Sequence, residues 1–112
     1  MTGSTQEYAD YILELLSPVK TVSSGRFFGG IGLKSEGTQF AMIMDNSLFL
    51  VVDDTSRNKY LEYGTECFWY KTKKKKVNVK KYHEVPAEII ENNEAIIEWA
   101  LEAVSVANKL KK

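Results

Sequence analysis

The chain has little from which to build a catalytic or metal centre. Its 112 residues contain one cysteine, Cys67, and one histidine, His83. A lone cysteine excludes an internal disulfide and suits a reducing compartment. One cysteine and one histidine cannot fill a zinc site, and no carboxylates recur around them at a ligand spacing. Long apolar runs are missing as well: none approaches the ~20 residues of a membrane-spanning helix. Glu7 and Asp10 occupy the amino terminus with no early lysine, which argues against a signal peptide. A cytoplasmic protein with no membrane segment is expected. Net charge is absent too, because fifteen basic residues balance fifteen acidic ones.

That balance hides a segregation. Lys71, Lys73, Lys74, Lys75, Lys76, Lys80 and Lys81 crowd one short segment. Glu84, Glu88, Glu91, Glu94, Glu98 and Glu102 follow with no base among them. Partners respond to such local patches more than to the total. The two lobes are also complementary, so a monomer or a weak, salt-sensitive homodimer is expected. The length suits one domain over residues 1–112, which buries roughly two-thirds of the surface of its unfolded chain.

The stretch 25–53 holds five of the seven glycines and most of the residues suited to a sheet. Residues 26–34 read as one glycine-rich strand. On a single strand, Phe27, Gly29, Ile31 and Leu33 point one way, and Arg26, Phe28, Gly30, Gly32 and Lys34 the other. Several glycines inside a strand imply a bulge or a close approach by another element. Glu36-Gly37 reads as a turn, and residues 40–44 and 48–52 as strands joined by a tight turn at Asp45-Asn46-Ser47.

Helices flank this meander. Residues 4–17 carry a stripe of Tyr8, Ile12, Leu15 and Leu16, with Ser4 and Glu7 at capping-box spacing and Pro18 as the stop. Asp53, Asp54 and Thr55 offer an N-cap for a short helix over 57–63, which Gly64 ends. Residues 67–70 and 77–83 form a hairpin with lysines at its tip. A helical turn over 87–91 follows Pro86. The last helix starts at Asn92 or Asn93 and runs to about residue 110, with Ile96, Ala100, Ala103, Ala107 and Leu110 inward and Trp99 at the edge. The order is α-β-β-β-α-β-β-α, an α+β fold with a five-stranded antiparallel sheet.

No motif declares a reaction. Gly32 and Gly37 have a phosphate-loop gap, but Thr38-Gln39 follows where Lys-Ser or Lys-Thr is required. Gly30 and Gly32 lead into strand rather than helix, so a dinucleotide fingerprint fails. Cys67 and His83 lie on neighbouring strands with no third group to orient the imidazole. The helix glutamates form a solvated face. No catalytic, cofactor or metal residue is expected, and the chain reads as a non-enzyme. The lysine hairpin, flanked by Trp69, Tyr70 and Tyr82, has the composition of a nucleic-acid contact. Lysines at a hairpin tip also serve to block edge pairing. Trp69 and Tyr70 are strand neighbours and are not both expected to face outward. Without arginine or a helix to enter a groove, base-specific reading is not expected.

The run Arg26-Phe-Phe-Gly-Gly-Ile-Gly-Leu33, followed by Leu48-Phe-Leu-Val-Val-Asp53, resembles the amino-terminal domain of the TfoX/Sxy family of competence regulators. Asp53-Asp54 before the short helix, the aromatic pair and basic turn of the hairpin, Tyr82-His-Glu-Val-Pro86 and Trp99-Ala100 extend that resemblance over nearly the whole chain. Phe27 stands where methionine is usual, and Lys34 where an aromatic is common. The resemblance implies an α+β domain like the type III secretion chaperone fold. It also implies transcription regulation of DNA-uptake competence through contact with a protein partner, a cyclic-AMP receptor protein-type transcription factor, and no cofactor. Full-length regulators of the family carry a second domain of helix-hairpin-helix character. Arg26, Phe28, Gly30 and Lys34 are the candidate partner-binding residues. Direct nucleic-acid contact through Lys71, Lys73, Lys74, Lys75, Lys76, Lys80 and Lys81 is the alternative.

Overall fold

A computed structural model describes residues 2–19, 21–27 and 29–111, with side chains described between residues 6 and 110. The elements are α1 (Thr2–Leu15), β1 (Val22–Phe27), β2 (Gly30–Ser35), β3 (Thr38–Met44), β4 (Ser47–Val51), α2 (Arg57–Glu62), β5 (Cys67–Lys71), β6 (Lys76–Glu84), α3 (Ala87–Ile90) and α4 (Asn93–Lys111). The architecture is α+β, with one antiparallel sheet in the order β1-β2-β3-β4-β6-β5.

The sheet has six strands rather than five. The stretch 26–34 is not one strand but the two arms of a hairpin. Phe27 pairs with Gly30, and Gly29 between them sits at φ +81°, where only glycine is comfortable. The lead-in over 21–24 therefore contributes to β1. The other tight turns behave as expected. Glu36 and Gly37 have φ of 50° and 87°, and Asp45 and Asn46 have 52° and 62°, the positive pair of a type I′ turn.

Helix ends follow local chemistry. Asp53 Oδ1 accepts from the Ser56 amide at 2.7 Å, and Ser56 Oγ accepts from the Asp53 amide at 3.0 Å. This reciprocal pair closes the turn that leads into α2, whose N-cap residue Ser56 makes no side-chain cap bond. The Ser56 amide, with Lys109 helping, holds the Asp53 carboxyl below its ordinary pKa. Asn92 Oδ1 caps α4 by accepting from the Ala95 amide at 3.0 Å. Gly64, at φ +84°, closes α2. At the amino terminus α1 begins at Thr2, so Ser4 lies inside the helix rather than at its cap.

Residues paired across antiparallel strands share a side of the sheet. Leu33, Ala41, Leu50, His83 and Cys67 form one row through the registers, and Ile31, Ile43 and Leu48 form another on the same side. The helices cover this side: α4 lies on β3 and β4, and α1 on α4 and β3. Ile12, Leu16, Ile96, Ala100 and Ala103 are buried there. Each such Ile or Leu contributes about 1.5–3 kcal/mol of burial. Leu101 and Leu110 fall outside the contact and stay exposed, whereas Trp99 is buried rather than marginal, against Tyr60 at 4.6 Å between ring centroids.

The row on the other side is Gly25, Gly32, Met42, Phe49 and Glu84. Met42 is buried nonetheless, as are Gly32 and Val51. The sheet covers this side itself. The Phe27 ring on β1 lies 6.2 Å from the Tyr82 ring on β6, although β2, β3 and β4 separate the two strands. A flat sheet would hold them roughly 19 Å apart, at about 4.8 Å per strand. The sheet must therefore curl. Gln39 Nε2, on β3, donates to the Tyr82 hydroxyl at 3.0 Å beneath that curl.

The glycines make room for it. A Cβ on Gly32 would sit 2.6 Å from Gln39 Oε1, and a Cβ on Gly30 would collide with the Ile43 carbonyl and the Met44 sulfur. A β-bulge between Leu33 and Lys34 completes the bend. Gly30→Ala is therefore expected to cost about 1–3 kcal/mol, since a backbone carbonyl cannot step aside. Gly25→Ala, with nothing within 4 Å, is expected to be nearly neutral. Urea midpoints check this, and equal midpoints for the two variants would refute the close approach.

Candidate functional site

The residues proposed from the glycine-rich segment do not assemble into one surface. Arg26 pairs with Ile31, while Lys34 follows the alternation of Gly30 and Gly32, so the hairpin sends Arg26 and Lys34 to opposite sides of the sheet. Both are exposed, but Gly30 is buried and contributes space rather than surface. Phe28 lies outside the described residues.

Cys67 and His83 are direct cross-strand partners. The histidine is turned away from solvent, 1% exposed, with its ring 5.1 Å from that of Tyr60. Its Nδ1 lies 3.3 Å from both Thr65 Oγ1 and the Glu84 carbonyl. Burial pushes its pKa below the ordinary value, with the Arg57 charge adding to the effect and the Glu84 carbonyl opposing it. An imidazole buried against the tilted Tyr60 ring has the surroundings of a core residue. Among the described residues no group of three or more His, Cys, Asp or Glu side chains is arranged to hold a metal ion. No helix there is long and apolar enough to cross a membrane.

A groove of about 410 Å³ opens beside Cys67 at the end of the sheet. Met44, Phe49, Phe68 and Trp69 give it an apolar floor and wall, while Asp45, Glu66 and Glu84 line it with carboxylates. Phe49 and Phe68 meet edge to face at 5.4 Å, which fixes the floor. Its members come from the β3–β4 turn, β4, the loop after α2, the start of β5 and the end of β6. Sequence reading missed this groove because its aromatics alternate like any core strand. Nothing local signals that the carboxylates converge.

The basic residues are brought together as expected. Cys67 pairs with His83 but Phe68 pairs with Val79, so residues 80–82 are looped out of the ladder. Beyond that break β5 and the first half of β6 pair only with each other, because β4 engages only the 82–84 end. The lysine-bearing end of the hairpin is an arm that extends past β4, while its base stays packed on the body through Phe68 and Val79. Lys71, Lys73, Lys74, Lys75, Lys76, Lys80 and Lys81 are all exposed on or beside it. Trp69 and Tyr70 are 42% and 47% exposed, contrary to the expectation that only one faces outward. They do alternate, but the arm has solvent on both faces. Arg57 Nη2 braces the break by donating to the Lys80 carbonyl at 3.3 Å.

Among known families, a family model described as the TfoX N-terminal domain matches residues 14–107. No curated protein matches the chain.

The depressed pKa of His83 has a measurable consequence. The unfolded chain takes up this proton more readily than the folded one, so stability is greatest above about pH 6.5 and falls as pH drops below it. His83 is the only histidine, which leaves the window free of competing imidazoles. Thermal midpoints at about pH 7.5 and 5.5 should therefore fall for the native chain, and fall much less for His83→Gln. A drop of the same size in the variant would refute the assignment.

Proposed function

Because the chain belongs to the TfoX N-terminal domain family, we propose that it is a cytoplasmic regulatory domain of DNA-uptake competence. It acts on transcription by holding a protein partner rather than by catalysis. The observation that carries this reading is the groove beside Cys67. Its aromatic and methionine floor offers apolar contact, and its carboxylates, Asp45, Glu66 and Glu84, set the sign of what it accepts. Charge complementarity selects a partner segment with an apolar side chain flanked by lysine or arginine. The floor then supplies affinity, and the carboxylates supply register and partner choice. A cyclic-AMP receptor protein-type transcription factor is the partner the family points to.

The groove replaces the Arg26, Phe28, Gly30 and Lys34 surface in this reading. Arg26 and Lys34 are split by the β1–β2 hairpin and Gly30 is buried, whereas the groove brings its lining into one concavity.

Titration calorimetry of the chain with purified cyclic-AMP receptor protein and cyclic AMP tests the proposal. A saturable heat is expected, weakened about tenfold or more, some 1.4 kcal/mol, by Asp45→Asn combined with Glu66→Lys. Both positions are exposed, so the fold should survive the change. Absence of binding, or binding indifferent to the pair, would overturn the reading.

A further inference from the structure

The arm formed by β5 and β6 has features that a protein-binding groove does not use. From Cys67 to His83 there are seven lysines and no acidic residue. The rest of the chain is left with fifteen acidic against eight basic residues, so the molecule is strongly dipolar. None of the ion pairs found among the described residues involves the seven lysines; those pairs use Arg57, Lys59 and Lys109.

The arm is also ordered. Thr72 ties its tip: the Thr72 amide donates to the Lys75 carbonyl at 2.8 Å, and Thr72 Oγ1 accepts from the Lys74 and Lys75 amides at 3.3 and 3.1 Å. Lys71 and Lys76 are a cross-strand pair, and like charges set opposite each other repel. Lys76 Nζ lies 4.6 Å from the centre of the Trp69 ring, which offsets part of that cost and steers the ammonium along the ribbon. A solubility tip needs neither this order nor this density of one sign.

We propose that the β5–β6 arm is a sequence-independent contact for the phosphates of a double-helical nucleic acid. A two-stranded antiparallel ribbon has the width of a duplex major groove. Lys73, Lys74 and Lys75 at the tip, with Lys71 and Lys76 behind them, offer point charges to successive phosphates. With no arginine on the arm, bidentate reading of guanine is absent. One face of Trp69 is occupied by Lys76, which disfavours base stacking and points to duplex rather than single strand. The acidic remainder of the chain repels the same phosphates, so the contact is confined to the arm.

Fluorescence anisotropy of a labelled duplex DNA of arbitrary sequence, with the intact chain, tests this. Binding is expected at about 50 mM salt. It should weaken about 50-fold by 150 mM if roughly four phosphates are neutralised. Replacing Lys73, Lys74, Lys75 and Lys76 by serine should abolish it and flatten the salt dependence, while removal of Lys34 and Lys109 should leave it. The four lysines are fully on the surface, so an unchanged thermal midpoint separates lost binding from lost folding. No binding at the lower salt, unaltered binding by the serine variant, or equal competition by poly-glutamate at matched charge would each overturn the proposal.

Discussion

The contact between Phe27 and Tyr82 governs this structure. It joins the first strand to the fifth in sheet order, across strands that contribute no ring to it. Only a strongly curled sheet allows it, and the curl gives the sheet an inner side that needs no helix. Met42 and Val51 are buried by the sheet's own side chains as a result. The helices are then free to concentrate on the other side, where α4 and α1 cover the long rows through Leu33 and Ile43. Gln39 reaching Tyr82 over Gly32 couples the glycine-rich strand to the curl.

The break in the β5–β6 ladder divides the molecule into a body and an arm. At residues 82–84 the strand belongs to the body, with Tyr82 under the curl and His83 against Tyr60. At residues 76–78 it belongs to the arm, and Lys76 meets solvent. The carboxylate-lined groove lies at the junction. Two surfaces of opposite sign thus share one strand.

Much of this was legible from residue types. The type I′ turn at Asp45-Asn46, the Asn92 cap, Gly64 behind α2 and the exposed lysine hairpin all rest on chemistry within a few residues. The same local reasoning failed over residues 26–34. A strand and a hairpin share the alternation Phe-Gly-Gly-Ile-Gly, and the difference rests on one φ at Gly29 that no neighbour announces. Ser4 failed for a related reason: its spacing to Glu7 is right for a cap, but the helix begins earlier.

By itself, then, the sequence determined the element types, the α+β class, the family and the segregation of charge, because propensity, periodicity and composition act over short range. The tertiary structure alone decided the curl, the split of Arg26 from Lys34, the burial of His83 and the groove beside Cys67. The split depends on the turn at Gly29, and the others depend on which distant strands pair and in what register, since a shift of one residue sends every side chain to the opposite face.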